Sequence, residues 1–271
     1  CREAWWTIGY ELSLEPTAEI SHMPTGGAFG SDFGVMLAWS RITADVAKDE
    51  NVCLVLCDDP WLFRHLAKLS GVTAGRPPRL RLTELKLSIR GWLARTKTAL
   101  KNALFSTRLV KTQGQGSAAI LVYGHPRSTA KGFDAYFGDL MTHEPELQRI
   151  LHTDCDVARA TELSSDGRTS SLHAWGHTLF ALRLIWTKWR PGRAIAQSEF
   201  SWLVRRSAAK ENSGGGPAMN RWQLHCQNNW IREARPSRVC WPWENHAWER
   251  GLCRTGNKHG VHTLGYQHTV V

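Results

Sequence analysis

A carboxylate and an imidazole stand near the end of this chain, each just past a short apolar run. Glu244 follows Val239 to Trp243, and His268 follows Val261 to Tyr266. Both runs carry the β-branched and aromatic residues that favour strands. Between them, His246 to Thr255 has a helical pattern that stops at Gly256. Strand, helix and strand within about thirty residues is the size of one βαβ unit. In an open parallel sheet, ligands bind in the crevice outside the carboxyl ends of the strands. That topology would bring Glu244 and His268 to one rim, where the two groups can share general acid–base work. Asn245 and Gln267 add amides beside them, and Trp243 and Trp248 add flat apolar faces suited to sugar stacking or to core packing. His125 is a third candidate. The apolar run Ala118 to Tyr123 ends in Gly124 and His125, and a small residue there leaves room for a ligand beside a base that titrates near neutrality. Each residue has a plainer reading as well. Glu244 would equally cap the helix that starts near His246, His125 would sit hydrogen-bonded in a loop, and the tryptophans would fill a core.

The elements that must position these residues alternate along the chain. Ala4 to Glu11, rich in Trp, Ile and Tyr, reads as a first strand. Residues 24–34 read as a glycine-bearing loop without the spacing of a phosphate-binding turn. A helix over 35–48 has Val35, Leu37, Ala38, Ile42 and Val46 for its buried side. Val52 to Cys57 is a continuous apolar run of the kind found in strands covered on both faces. Asp58 and Asp59 end it, and Pro60 opens the next helix, where the acidic pair fits a helix start. After a polar linker, Gln113 to Ser117, and the strand Ala118 to Tyr123, a short helix is expected over Phe133 to Met141. Short strands follow at Ile150 to Thr153 and Ser170 to Trp175. Leu179 to Trp189 and residues 195–231 read as helical, the latter broken by the SGGGP at 213–217. The expected fold is α/β, a Rossmann-like and mostly parallel sheet flanked by helices. We read 1–271 as a single domain with a basic amphipathic helical insertion at about 76–111.

That insertion holds most of the charge. Residues 76–111 contain ten Lys or Arg against one acid, Glu84, in a chain of net charge +10. At 100° per residue, Lys86, Arg90, Lys97, Lys101 and Arg108 fall within about 60° of one another on a helical wheel. Leu85, Ile89, Trp92, Leu93 and Leu100 form a neighbouring apolar stripe. A basic stripe beside an apolar one fits a helix lying in an anionic membrane interface, and it fits equally a surface helix packed on its own domain. Nucleic acid is the weaker reading, since aromatics are not interleaved and no nucleic-acid-binding signature accompanies the charge. No apolar run is long enough to span a bilayer. The remaining composition is ordinary for a soluble domain, apart from fourteen Trp, nine of them between Trp175 and Trp248. Seven cysteines without a C-x-x-C pair point to reduced thiols rather than a disulfide framework. His173 and His177 have metal-ligand spacing only on one continuous helix, and Gly176 between them argues against that. No metal or other cofactor is expected.

PWENHAWERGL at 242–252 followed by GYQHTVV at 265–271, with weaker matches in VCLVLCDDP at 52–60 and FDAYFGDL at 133–140, resembles the paired motifs of bacterial surface-carbohydrate biosynthesis proteins. These have a glycosyltransferase-like architecture of two Rossmann halves (GT-B type). The resemblance implies transfer of a sugar from a nucleotide-sugar donor to a lipid-linked or polysaccharide acceptor, with this chain as the N-terminal, acceptor-side half. It puts Glu244 and His268 on motif positions without fixing their roles. The chain ends three residues after His268, where such a protein would cross into its donor-binding half. Residues 1–271 are therefore expected to be truncated at both ends and inactive alone, and the protein to be cytoplasmic, either free or peripheral on the inner face of the cell membrane. A non-catalytic membrane-peripheral carbohydrate-assembly protein is the alternative. An epimerase on the same half-fold would need a dinucleotide fingerprint, and none is visible.

Overall fold

The computed structural model describes residues 2–21, 32–48, 53–109, 111, 118–192 and 198–267. His268, the glycine-rich residues 24–31, Val52 and the linker Gln113 to Ser117 lie outside that set. In chain order the elements are α1 (Arg2–Ser13), α2 (Phe33–Val46), α3 (Pro60–Leu66), α4 (Leu80–Ser106), β1 (Ala118–Val122), α5 (Leu140–His143), β2 (Gln148–Leu151), α6 (Val157–Ser164) and β3 (Thr169–Ser171). Then come α7 (Thr178–Arg183), α8 (Ser201–Glu211), α9 (Gly216–Ala234), β4 (Arg238–Pro242), α10 (Ala247–Lys258) and β5 (His262–Tyr266). They divide into two units, one of residues 1–95 with 188–217, the other of residues 96–187 with 218–271.

The second unit holds the sheet. Five strands run in the order β3-β2-β1-β4-β5, with every neighbouring pair parallel, so the α/β, Rossmann-like expectation holds. Ala119 to Val122 of β1 are all buried because this strand lies in the middle of the sheet. Ile120, Val122 and Leu151 pack with Leu147, Ala160 and Leu163 into one core cluster. β5 is an edge strand, and Leu264 and Tyr266 face solvent. Arg149 of β2 is fully buried yet satisfied: it pairs with Asp166 at 3.0 Å and donates to Thr169 Oγ1 at 2.9 Å and to the carbonyl of Thr129 at 3.0 Å. A buried charge needs such a set of partners to be tolerated. The βαβ unit read from the last thirty-odd residues is present as β4-α10-β5, with α10 running on through Gly256 to Lys258. Of the helix expected over Phe133 to Met141, residues 133–138 instead form a turn closed by the Asp134–Gly138 bridge, and helix begins only at Leu140. The strand expected from Ser170 to Trp175 stops at Ser171 and tightens into a 3-10 turn. Helix α7 likewise tightens into a 3-10 turn over Leu184–Trp186, short of Trp189.

The first unit is helical in its described residues, and it corrects three expectations. Ala4 to Glu11 is helix, not strand. Ile8 and Leu12, one turn apart, are buried with Trp5 packed beside them, so a helical period overrides the strand preference of the residue types. Residues 53–57 are not a strand and are not buried; Leu54 is 84% and Leu56 88% exposed. The sheet that would have covered such a run lies wholly in the other unit. Helix α2 forms as expected but turns a different face inward, Phe33, Leu37, Ser40 and Thr43, leaving Val35 and Ile42 outside. The acidic pair does start a helix: the Asp59 carboxylate accepts from the N–H groups of Trp61 and Leu62 at 3.1 Å. Asp59 also receives Arg206 Nε at 2.6 Å, while the other two guanidinium nitrogens clamp both oxygens of Asp32 at 2.7 and 2.6 Å. That guanidinium holds the Asp32 carboxyl below its ordinary value of 3.8.

Candidate functional site

Strand order locates the crevice. From β1 the chain winds outward through β2 to β3, and from β4 it winds the opposite way to β5. The direction therefore reverses between β1 and β4, and in open parallel sheets the carboxyl ends at such a reversal splay apart to leave a binding crevice. Tyr123 follows β1 at this point, and Trp243, Glu244, Asn245 and His246 link β4 to α10.

The link is held in one conformation. Trp243 donates its N–H to the carbonyl of Tyr266 at 2.7 Å. Asn245 takes a left-handed backbone (φ 61), a conformation asparagine tolerates better than other side chains except glycine. Glu249, in the first turn of α10, is fully buried and its Oε1 accepts the N–H of Glu244 at 3.0 Å. Burial pushes the Glu249 carboxyl above its ordinary value of 4.5, against the backbone N–H groups of Glu244 and His246. So fixed, Glu244 and His246 meet: Oε2 and the ring Nε2 are 3.1 Å apart, with the side chains 30% and 37% exposed. A carboxylate set against an imidazole in this way orients the ring. The partial exposure keeps both within reach of a ligand.

Around this pair lies an aromatic and ionisable cluster. The Tyr123 ring is 4.9 Å from that of His152 and 6.4 Å from that of His246. Burial, and then the negative charge of Glu244, hold the Tyr123 phenol well above its usual value, so it remains a proton donor at any physiological pH. His152 follows β2 and forms a second imidazole–carboxylate pair, its Nδ1 3.1 Å from Asp154 Oδ1. Burial opposes the charge on Asp154, but His152 and the N–H groups of Asp154 and Cys155 together hold the carboxyl below its ordinary value. The other nitrogen of His152, Nε2, is buried and has no hydrogen-bond partner among the described residues. Trp248 backs both imidazoles, with ring centroids 5.1 Å from His152 and 6.3 Å from His246.

Of the residues singled out in the sequence, Glu244 and Asn245 stand at this point of the rim. His125 stands at its margin: its Nδ1 accepts the N–H of Arg127 at 3.1 Å, and its ring meets Tyr136 edge-on at 6.1 Å, with Tyr136 in turn 5.9 Å from Tyr123. The room expected at Gly124 is not open to a ligand. A Cβ there would come within 2.2 Å of Cys155 Sγ, so the protein's own packing uses the space. Trp248 is buried and serves as a wall of the cluster. Trp243 is half-exposed and lies over Gly265, where a Cβ would meet its ring at 2.8 Å. Gln267 is exposed just past β5. Tyr123, His152, Asp154, His246 and Glu249 were not among the candidates. His152 and Asp154 had a signal in ILHTD, an apolar run ending in polar residues, and His246 stands two residues from Glu244.

His173 is not available for chemistry. Trp222 donates to its Nδ1 at 2.9 Å, its Nε2 lies 2.9 Å from the carbonyl of Thr153, and burial lowers it to about 4. No group of three metal-ligating side chains occurs among the described residues. A cavity of about 540 Å³ lies in the helical unit, lined by Val46, Phe63, Leu66, Val72 and the 53–57 segment. Its walls bring no acid or imidazole among the described residues. Comparisons with protein-family models, with curated proteins and with solved structures each found no match.

Proposed function

We propose that the β1/β4 crevice binds a hydroxyl-bearing glycan acceptor and that the Glu244–His246 pair takes the acceptor's proton during transfer of a sugar from a nucleotide-sugar donor. The observation that carries this reading is the 3.1 Å contact between Glu244 and His246 at the reversal of strand order, both side chains partly exposed. An alcohol is too weak an acid to attack an activated sugar without a base, and a carboxylate beside an imidazole sets two proton-accepting groups at one point. Tyr123, kept as a neutral phenol, is suited to donate a hydrogen bond to a sugar oxygen, and His152 Nε2 offers a second polar atom beside it. The aromatic walls favour the apolar face of a sugar ring. The resemblance of the PWENHAWERGL segment to surface-carbohydrate proteins supports the same class of substrate.

The test is acceptor binding by saturation-transfer NMR, with transfer from a nucleotide hexose followed in the protein joined to its donor-binding half. Glu244→Gln and His246→Gln should keep acceptor binding within a few-fold and lower transfer by about 10²–10⁴. Wild-type transfer rates in both variants would end the acid–base reading. Acceptor binding that survives Tyr123→Ala and Glu244→Ala together would move the ligand elsewhere.

A further inference from the structure

Helix α4 faces the wrong way for a surface helix packed on its own protein. It runs 27 residues, about 40 Å at 1.5 Å per residue. Its buried positions are Gly91, Arg95, Ala99 and Asn102, spaced one turn apart, and all are small or polar. Close approach is built in at this seam: a Cβ on Gly91 would fall 1.9 Å from the carbonyl oxygen of Asn212, and Arg95 Nη1 donates to that oxygen at 2.7 Å. Leu87 and Phe105 are partly buried, but most of the large apolar residues point elsewhere. Leu85, Ile89, Trp92, Leu93 and Leu100 are each more than half exposed, and Leu82 and Leu104 nearly so. On a wheel of 100° per residue these seven span about 120°, centred roughly 125° from the buried seam. Lys86, Arg90, Lys97 and Lys101 fill the next arc of about 60°; Arg108, expected on the same stripe, lies in the turn past the helix end at Ser106. An exposed apolar strip of this length is unusual on a soluble surface and marks an interaction site.

We infer that α4 lies along the surface of an anionic membrane, with the leucine–tryptophan strip in the acyl boundary and the basic arc at the headgroups. Charge complementarity selects this occupant over a second copy of the chain. Residues 76–111 carry ten Lys or Arg and one acid, so pairing two such helices would set like charges side by side, whereas an anionic leaflet supplies the opposite sign. The geometry matches an interfacial helix, in which a wide apolar face is bordered by cations. This inference stands apart from the sugar-transfer reading and does not need it.

The experiment is co-sedimentation of the full chain with vesicles of phosphatidylcholine alone and with 30 mol% phosphatidylserine added, about the simplest neutral and anionic surfaces. Binding is expected to the anionic vesicles and to fall steeply with salt, because exposed charges are screened over about 8–10 Å at 0.1–0.15 M. Each cation near such a surface strengthens binding by about 5-fold, so Lys86→Glu, Arg90→Glu and Lys97→Glu together should weaken it by at least about 100-fold. Leu85→Ser, Ile89→Ser and Leu93→Ser together should also abolish it while circular dichroism and monomer mass are unchanged, since those side chains are exposed. Equal binding to both vesicles, no binding to either, or undiminished binding by the serine variant would overturn the inference. So would a vesicle-free dimer that the serine variant loses, which would show the strip covered by a second copy.

Discussion

Glu249 offers a perturbation whose size follows from the geometry. The side chain is fully buried, its Oε1 accepts the N–H of Glu244 at 3.0 Å, and burial raises its carboxyl above 4.5. A carboxyl with a raised value in the folded protein binds its proton more tightly there than in the unfolded chain. Its contribution to stability is therefore fully present below the unfolded value of 4.5 and is lost as pH climbs through the folded value. Each unit of elevation corresponds to about 1.4 kcal/mol. Glu249→Gln keeps an oxygen for the Glu244 N–H and removes the titration. Relative to wild type it should gain stability between pH 4.5 and neutrality, by about 1.4 kcal/mol per unit of elevation, and show a flatter profile. Glu249→Ala removes the acceptor as well and should be less stable than Glu249→Gln by about 1–3 kcal/mol at every pH, the penalty for leaving a buried donor unpaired. Urea unfolding of the three proteins at four pH values between 4 and 7.5 decides the matter. Parallel wild-type and Gln profiles would refute the reasoning, because they would mean that the carboxyl is as well solvated folded as unfolded. An Ala variant as stable as the Gln variant would show that the Glu244 turn does not depend on this contact.

Arg206→Met should destabilise the helical unit by about 2–3 kcal/mol, below the ~3–5 typical of a broken buried pair, because Asp32 is 37% exposed and partly screened. The pair with Asp32 stabilises above the unfolded carboxyl value of 3.8 and is lost as pH falls through the lower folded value, so the variant should also lose part of the wild-type acid transition below pH 3.8; an unchanged acid limb would count against it. Gly124→Ala should cost about 1–3 kcal/mol through overpacking against Cys155, and Cys155→Ala in the same chain should recover part of that loss. Thermal melts that add independently in the double variant would show that the two sites do not touch.

Much of the sheet was legible because its strands are short apolar runs bounded by polar or glycine residues. Ala118 to Val122 and Val239 to Pro242 announce themselves in this way, and the glutamate after the second run duly stands at the rim. The same criterion failed at Val52 to Cys57, where an equally apolar run meets no neighbouring strand and stays exposed over its described residues. Composition records how apolar a segment is, not what will cover it. Helix α1 was misread because Trp, Ile and Tyr favour strands by type, while Ile8 and Leu12 recur at a helical interval. The crevice needs a fact that local sequence does not carry: which strand lies beside β1. Only the order β3-β2-β1-β4-β5 puts Tyr123 and His152 beside Glu244 and His246. His152 read as the continuation of a strand, and His246 as the start of a helix, because each is judged locally by its backbone and not by the neighbour it meets.

The most direct test of the central claim is to map the ligand site by chemical shift. The protein, labelled with ¹⁵N, is titrated with a soluble oligosaccharide acceptor while backbone and imidazole signals are followed. The expected result is saturable shifts confined to Tyr123, His152 and Glu244 to His246, with the ring nitrogens of His246 and His152 moving together and the effect absent in Glu244→Ala. Shifts centred instead on the cavity formed by Val46, Phe63 and Val72, or none at all at the β1/β4 rim under saturating acceptor, would contradict it.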